Sequence, residues 1–240
     1  MDIKNNKPHV NKKGSFKQGY YKIYNSFKYK GEPIKITIGT LLLTAFCILL
    51  LIIATFTQIT FSHFHIPIDA VSFLNQEPTQ KEILAHFTKT YRYIPQIPTV
   101  FFIIGLLGRK FGILAIIGYI ILGMFFPIFA LGGGINYLFE YGFGYILAFI
   151  PAIFFSGTLL KVKTDFLRIV LLSTLGVIAI HILGVLYMLF IATLKHAPME
   201  IISSWIFSQS SVQILYDMFF SIIAIYIGRF SRKFFWIIMC

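Results

Sequence analysis

Three ionisable side chains lie in or beside long apolar stretches of the sequence, and each is a candidate for chemistry. Asp217 stands about five residues into one stretch, Glu140 borders another, and His181 lies midway along a third. An ionisable group inside a membrane costs about 2.5–3.5 kcal/mol at the centre of a span, so it usually has a partner or a function. Asp217 either pairs with a nearby base or loop donor, or accepts hydrogen bonds from N–H groups of a ligand.

His181 has a structural explanation, because one uncharged imidazole can bond to a neighbouring helix. With no second ligand at metal-binding spacing, we expect neither a metal nor a cofactor. We also expect no enzyme. Ser156 and Ser173 are the serines considered as partners of His181, but no Gly-x-Ser-x-Gly or His-Glu-x-x-His motif is present. About two helical turns separate Ser173 from His181.

A glycine- and tyrosine-rich segment, PIFALGGGINYLFEYGFGY, covers residues 127–145. Its five glycines let the backbone approach a ligand closely, and its aromatic side chains can cover one. Glycine in tight turns and tyrosine in the interfacial belt are the alternative explanation. The candidate residues of this segment are Asn136, Tyr141, Gly144 and Tyr145. Gln96, which follows Pro95, is a further amide candidate.

The elements that position these residues must lie in a membrane. The chain has 240 residues, of which 57% are hydrophobic and 12% charged, with a mean hydropathy of +0.79. Soluble domains carry about 25% charged residues, so a soluble enzyme is excluded. Stretches of about 20 apolar residues cross a bilayer as helices. Six apolar stretches are present: Ile36 to Phe61, Ile94 to Gly108, Phe111 to Leu131, Tyr141 to Leu160, Ile169 to Leu194 and Val212 to Gly228.

The basic residues give these six stretches an orientation. Six crossings put 17 of the 21 Lys and Arg residues on one side and only Lys81, Lys89, Arg92 and Lys195 on the other. Basic residues accumulate in cytoplasmic loops, so we predict an all-α bundle of six transmembrane helices with both termini cytoplasmic, in the plasma (inner) membrane. The predicted organisation is a basic N-terminal arm (1–35), a membrane domain (36–228) and a basic tail (229–240). A nucleic-acid partner is not expected, since no basic folded domain is present.

This topology brings Gln96, Asn136, Tyr145 and Asp217 to the outer side from four separate elements. Convergent polar groups of this kind are what a pocket for a small polar ligand requires. The longest outer loop, residues 62–93, includes an amphipathic stretch from Gln80 to Thr90. We predict a short helix there, lying over the mouth of the pocket.

Three segments together resemble the BioY family: IPQIPTVFFIIGLLGRKFG (94–112), PIFALGGG (127–134) and GYILAF (144–149). Members of that family are biotin-binding substrate-capture (S) components of energy-coupling-factor (ECF) transporters. The resemblance implies six helices and a ligand site near the outer surface, and Asp217 looks like the family's acid early in the sixth helix. The sequence departs from the family pattern at Phe220, where many members have a lysine, and at residues 141–143, where many have Pro-Thr-Gly.

The resemblance implies that biotin is the ligand and that lipid, a transmembrane coupling subunit and ATPase subunits are partners. On this interpretation Asp217 accepts a ureido N–H, and Asn136 or Gln96 donates to the ureido carbonyl. Tyr141 and Tyr145 pack on the ring system beside Gly144, and Arg92 or Lys195 meets the carboxylate. An S component for a different vitamin and a non-transport membrane scaffold are the alternatives. The chain has no P-loop, so ATP energy would come from separate subunits.

Overall fold

A computed structural model describes residues 36–64, 66–67, 69–160 and 165–239. The predicted basic arm (1–35) lies outside the described residues, and so do Lys161 and Lys163. The helices are α1 (Ile38–Phe56), α2 (Ala70–Leu74), α3 (Gln80–Phe87), α4 (Gln96–Phe125), α5 (Phe143–Leu159), α6 (Phe166–Leu194), α7 (Met199–Ser210) and α8 (Val212–Met239). A 3₁₀ turn, Ile135–Phe139, precedes α5.

The all-α prediction needs one correction, because the outer loop also contains two strands. Strands β1 (Ile59–Phe64) and β2 (Thr88–Tyr93) pair antiparallel, with Ile59 opposite Tyr93. Helix α3 lies between them in the chain and matches the short amphipathic helix predicted from Gln80 to Thr90. It starts in a capping box, in which the backbone N–H of Thr79 donates to Glu82 Oε2 at 2.8 Å.

Helix α4 contains two of the predicted spans and folds back on itself at Gly108. Gly108 has φ +69° and ψ −168°, a conformation that suits glycine and interrupts the helix. Gln96 Nε2 lies 3.0 Å from Tyr119 Oη, although 23 residues of uninterrupted helix would span about 35 Å. The two limbs, residues 96–107 and 109–125, therefore run antiparallel, as the separate predicted stretches required.

Four helical stretches of the described chain are long and apolar enough to cross a membrane: Ile38–Phe56, Gln96–Phe125, Phe166–Leu194 and Met199–Phe235. The last joins α7 and α8 across Ser211, and Phe143–Leu159 is apolar but shorter. A multi-pass membrane bundle follows from these helices. The count of six crossings and the side of each terminus stay predictions.

The bundle is closed by contacts between small residues. Helix α8 crosses the first limb of α4 at Gly228 and Gly105, where a Cβ on Gly228 would lie 2.3 Å from the carbonyl oxygen of Phe102. Such glycines let helix backbones touch. The crossing brings the beginning of α8, which carries Asp217, beside β2 and the beginning of α4.

Candidate functional site

A cavity of about 220 Å³ lies at the end of the bundle where α4, α5 and α8 begin. We call it the amide cavity, because four glutamines line it together with aromatic and aliphatic side chains. No formally charged residue is among the described residues that line it, which are Gln58, Ile94, Gln96, Ile97, Ala130, Leu131, Tyr137, Gly142, Tyr145, Ile146, Phe149, Trp205, Gln209 and Gln213. Its composition suits a small, neutral, partly apolar group with a few hydrogen-bonding atoms.

Gln96 is held in place by two buried hydroxyls. Its Nε2 donates to Thr55 Oγ1 at 3.1 Å and to Tyr119 Oη at 3.0 Å, and Thr55 also bonds Tyr119 at 2.9 Å. These bonds occupy the amide's donor group. The group left for a ligand is the carbonyl oxygen Oε1, so Gln96 is arranged as an acceptor and not as the donor that the sequence analysis expected.

Tyr145 connects the wall of the cavity to a buried polar chain. Its hydroxyl lies 2.8 Å from Ser210 Oγ, which lies 3.0 Å from His181 Nδ1. His181 Nε2 lies 3.2 Å from Asp217 Oδ2. We call these four residues the Tyr145–Asp217 relay. It joins α5, α7, α6 and α8, and it explains why a histidine is retained in an apolar helix.

Asp217 lies behind the cavity wall and is not one of its lining residues. The residue is fully buried, and its carboxylate accepts from His181 and from Tyr93 Oη at 2.9 Å. Gln213 also bonds to it. Sequence reasoning left open whether Asp217 pairs with neighbouring groups or binds a ligand, and this arrangement places it among protein donors. His181 and Tyr93 stand in for the lysine that Phe220 replaces.

Tyr93 is a firm donor in this arrangement. Burial, and then the nearby charge of Asp217, raise the pKa of the Tyr93 hydroxyl well above its usual range. The hydroxyl therefore keeps its proton. The Tyr93 ring also packs 5.5 Å from Tyr216, which stacks on Phe61 of β1 at 4.7 Å. The strand pair thus serves to position a partner of Asp217.

The hydrogen-bond directions along the relay follow from the charge at its end. A carboxylate accepts, so His181 Nε2 carries a proton, and in the neutral imidazole Nδ1 then accepts from Ser210. The Ser210 oxygen in turn accepts from Tyr145. The Tyr145 proton is thereby directed into the relay, and its oxygen lone pairs are what remain for the cavity.

The other candidate residues lie outside the cavity lining. Asn136 is exposed on the 3₁₀ turn. Gly144 is a packing position, where a Cβ would lie 2.3 Å from Tyr187 Cβ. Tyr141 is half-buried against Trp205, with ring centroids 5.8 Å apart. Arg92 is exposed on β2, next to the inward-facing Tyr91 and Tyr93.

Lys195 stands near the rim of the cavity. Its Nζ lies 5.0 Å from the centroid of the Tyr141 ring and 3.9 Å from Glu140 Oε1. Tyr141 in turn touches Trp205, which lines the cavity. Of the two bases proposed as carboxylate partners, Lys195 is therefore linked to the cavity by direct contacts.

Sequence reasoning missed several lining residues: Gln58, Trp205, Gln209 and Gln213. Helix α7, which carries two of them, was not among the predicted elements because its polarity hid it between two apolar stretches. One signal could have found these side chains. The glutamines cluster at the ends of predicted spans on the same side as Gln96, where uncharged amides are rare enough to be noticed.

Gly184 gives the first prediction, because it sets the position of Tyr145. A Cβ on Gly184 would lie 2.5 Å from Tyr145 Cδ1. Gly184→Ala should push the Tyr145 ring from its place and weaken ligand binding by about tenfold, as a misplaced polar contact costs about 1–3 kcal/mol. Binding titration of purified protein measures this.

The control for Gly184→Ala is Gly118→Ala, where the new Cβ meets at 2.8 Å only the flexible end of Ile48. Equal binding by both variants would show that the place of Tyr145 does not matter.

Comparison with known proteins agrees with this architecture. The fold resembles a solved structure described as the crystal structure of the S-component for biotin from an ECF-type ABC transporter. The TM-score is 0.57 at 21% sequence identity, covering 83% of this chain and 95% of that chain. No curated protein matches the chain by sequence. The fold is thus that of a membrane S component.

The model of the BioY family matches residues 88–235, more than half of the sequence, and the chain belongs to that family. BioY proteins are transporter S components and not enzymes, so the resemblance and the expectation of a non-enzyme are both confirmed.

Proposed function

We propose that this protein binds biotin in the amide cavity, at the outer face of the plasma (inner) membrane, and delivers it inward as the S component of an ECF transporter. The observation that carries the proposal is the amide cavity itself, a neutral, amide- and aromatic-lined pocket in a member of the BioY family. In this proposal six crossings place both termini in the cytoplasm.

The polar groups of the cavity match the head of biotin. A cyclic urea presents two N–H donors and one carbonyl acceptor, and an unpaired buried polar group costs about 1–3 kcal/mol. Gln96 Oε1 and Tyr145 Oη are acceptors for the two N–H groups. The amides of Gln58, Gln209 or Gln213 can donate to the carbonyl. Asp217 acts on this contact through the Tyr145–Asp217 relay.

The apolar and charged ends of biotin are met by different parts of the site. Trp205 and Phe149 line the cavity and pack on the thioether ring. The carboxylate lies at the rim near Lys195, whose present partner Glu140 is 3.9 Å away. A loosely held ion pair of this kind, about 40% exposed on each side, exchanges partners at little cost. Asn136, Tyr141, Gly144 and Arg92 shape or surround the mouth in this proposal.

The direct test is a fluorescence titration with biotin. The sequence has two tryptophans, and Trp236→Phe leaves Trp205 in the cavity wall as the reporter. We expect a saturable change at micromolar biotin. Gln96→Ala should weaken binding at least about fivefold, because one ligand N–H loses its acceptor. Gln76→Ala, an exposed glutamine in the outer loop, is the matched control.

Three results would contradict the proposal in different ways. No saturable signal at micromolar biotin would remove the biotin assignment. Displacement of bound biotin by riboflavin or thiamine would point to another vitamin. Failure to co-purify with a transmembrane coupling subunit and its ATPases would leave a protein that works alone.

A further inference from the structure

A second cavity, also of about 220 Å³, lies at the opposite end of the bundle from the amide cavity. It is lined by the fold-back of α4 at Gly108, by the end of α5 at Gly157, and by α8 at Arg232. Gly108 follows Gln96 by 12 residues, about 18 Å of helix. Arg109, Lys110 and Arg232 all contribute to its wall, and we call it the basic cavity.

Arg109 is fixed in place before any ligand arrives. Its Nη1 donates to Thr158 Oγ1 at 3.0 Å, and its guanidinium carbon lies 5.3 Å from the centroid of the Phe154 ring. Gly157 makes this possible, since a Cβ there would lie 3.0 Å from Arg109 Cα. A guanidinium that is already oriented loses little rotamer entropy on binding an anion.

Arg232 approaches the same space from α8. A Cβ on Gly108 would lie 3.3 Å from Arg232 Nη1, so the guanidinium packs directly on the bare backbone of the fold-back. Glycine at this position therefore does two things: its positive φ reverses the chain, and its missing side chain admits the arginine. Two elements distant in the sequence thus direct cations at one volume.

The charge of the basic cavity calls for an anion. Three cationic side chains line it, and no Asp or Glu is among the described residues of its wall. Like charges held together are destabilising unless a counter-ion joins them, and guanidinium groups match the oxygens of a phosphate in geometry. A tetrahedral oxyanion therefore fits better than a carboxylate on a flexible chain.

The surroundings indicate where the phosphate comes from. Phe154, which packs under Arg109, is 47% exposed on the outside of the bundle, where an acyl chain would lie against it. Basic pockets between transmembrane helices on the cytoplasmic side are suited to anionic headgroups. We propose that the basic cavity binds the phosphate of an anionic phospholipid headgroup, with Arg109, Lys110 and Arg232 as its contacts.

The test measures thermal unfolding of the purified full-length protein in detergent, titrated with phosphatidylglycerol, phosphatidylcholine or inorganic phosphate. We expect phosphatidylglycerol to raise the unfolding temperature saturably. Lys110→Gln and Arg232→Gln should each weaken that response about fivefold, because each variant removes one positive charge from the wall that faces the phosphate. Lys233→Gln is the matched control, because Lys233 is exposed at the same end and does not line the cavity.

Two outcomes would overturn the proposal. An equal loss in Lys233→Gln would show that net surface charge, and not this cavity, attracts the lipid. An equal response to inorganic phosphate, or to phosphatidylcholine, would remove the anionic lipid as the ligand. Lys110 is exposed, so Lys110→Gln keeps the test valid even if Arg232→Gln impairs folding.

Discussion

Replacing Asp217 with leucine is expected to abolish biotin binding and to destabilise the bundle by about 3–5 kcal/mol, because its buried donors lose their acceptor. Tyr93 and His181 both bond to this carboxylate, at 2.9 and 3.2 Å. Titration with biotin measures the loss of binding, and thermal unfolding in detergent measures the destabilisation, at about 2–4 °C per kcal/mol for a chain of this size. Asp165→Asn, which removes an exposed carboxylate at the opposite end, is the control.

Asp217→Asn separates the two roles that the carboxylate could have. The amide keeps an acceptor for Tyr93 but donates to His181 Nε2, so the imidazole takes the other tautomer and the bonds along the Tyr145–Asp217 relay reverse. Tyr145 then becomes a donor toward the cavity. We expect near-normal stability with biotin affinity lower by about tenfold or more.

Unchanged affinity in Asp217→Asn would show that relay polarity does not reach the ligand. A loss of stability as large as that of the leucine variant would show that the charge itself holds the bundle together.

Gly228→Ala is expected to lower the unfolding temperature by about 10 °C. The added Cβ would lie 2.3 Å from the carbonyl oxygen of Phe102 and 3.0 Å from the backbone nitrogen of Leu106, so α8 and the first limb of α4 must separate. Overpacking of this kind costs about 1–3 kcal/mol and here meets rigid backbone. Gly105 on the other helix has the same constraint, with Ile225 O at 2.7 Å from its ideal Cβ.

Gly142→Ala is the control for the helix crossing, since the nearest atom to its ideal Cβ is Tyr137 Oη at 4.0 Å. An equal melting temperature for Gly228→Ala and the wild type would mean that the α4–α8 crossing is not closely packed.

The predictable part of this fold is the part that hydropathy and charge determine. Apolar length places helices over residues 38–56, 143–159 and 166–194, within a few residues of the expected bounds. The fold-back at Gly108 agrees with the break between two predicted stretches, because Arg109 and Lys110 interrupt the apolar run there. Strands β1 and β2 could not be predicted, since their pairing depends on a partner about 30 residues away.

The site was predictable in location but not in detail. Gln96 and Tyr145 do line the amide cavity. Asp217 was singled out because a buried acid is costly, yet its partner His181 stands 36 residues away on another helix. Spacing along one chain carries no signal for such a pair. The donor or acceptor role of Gln96 depends on Thr55 and Tyr119, which only the assembled bundle brings together.

The neutrality of the amide cavity has a consequence for energetics. Its described lining residues bear no formal charge, and the carboxylate of Asp217 is neutral toward the cavity because three protein donors enclose it. Loading the urea head therefore displaces no fixed protein charge through the transmembrane field. Only the valerate tail would sense the voltage, so capture should be almost independent of membrane polarisation, and any electrical work would belong to a later step of the cycle.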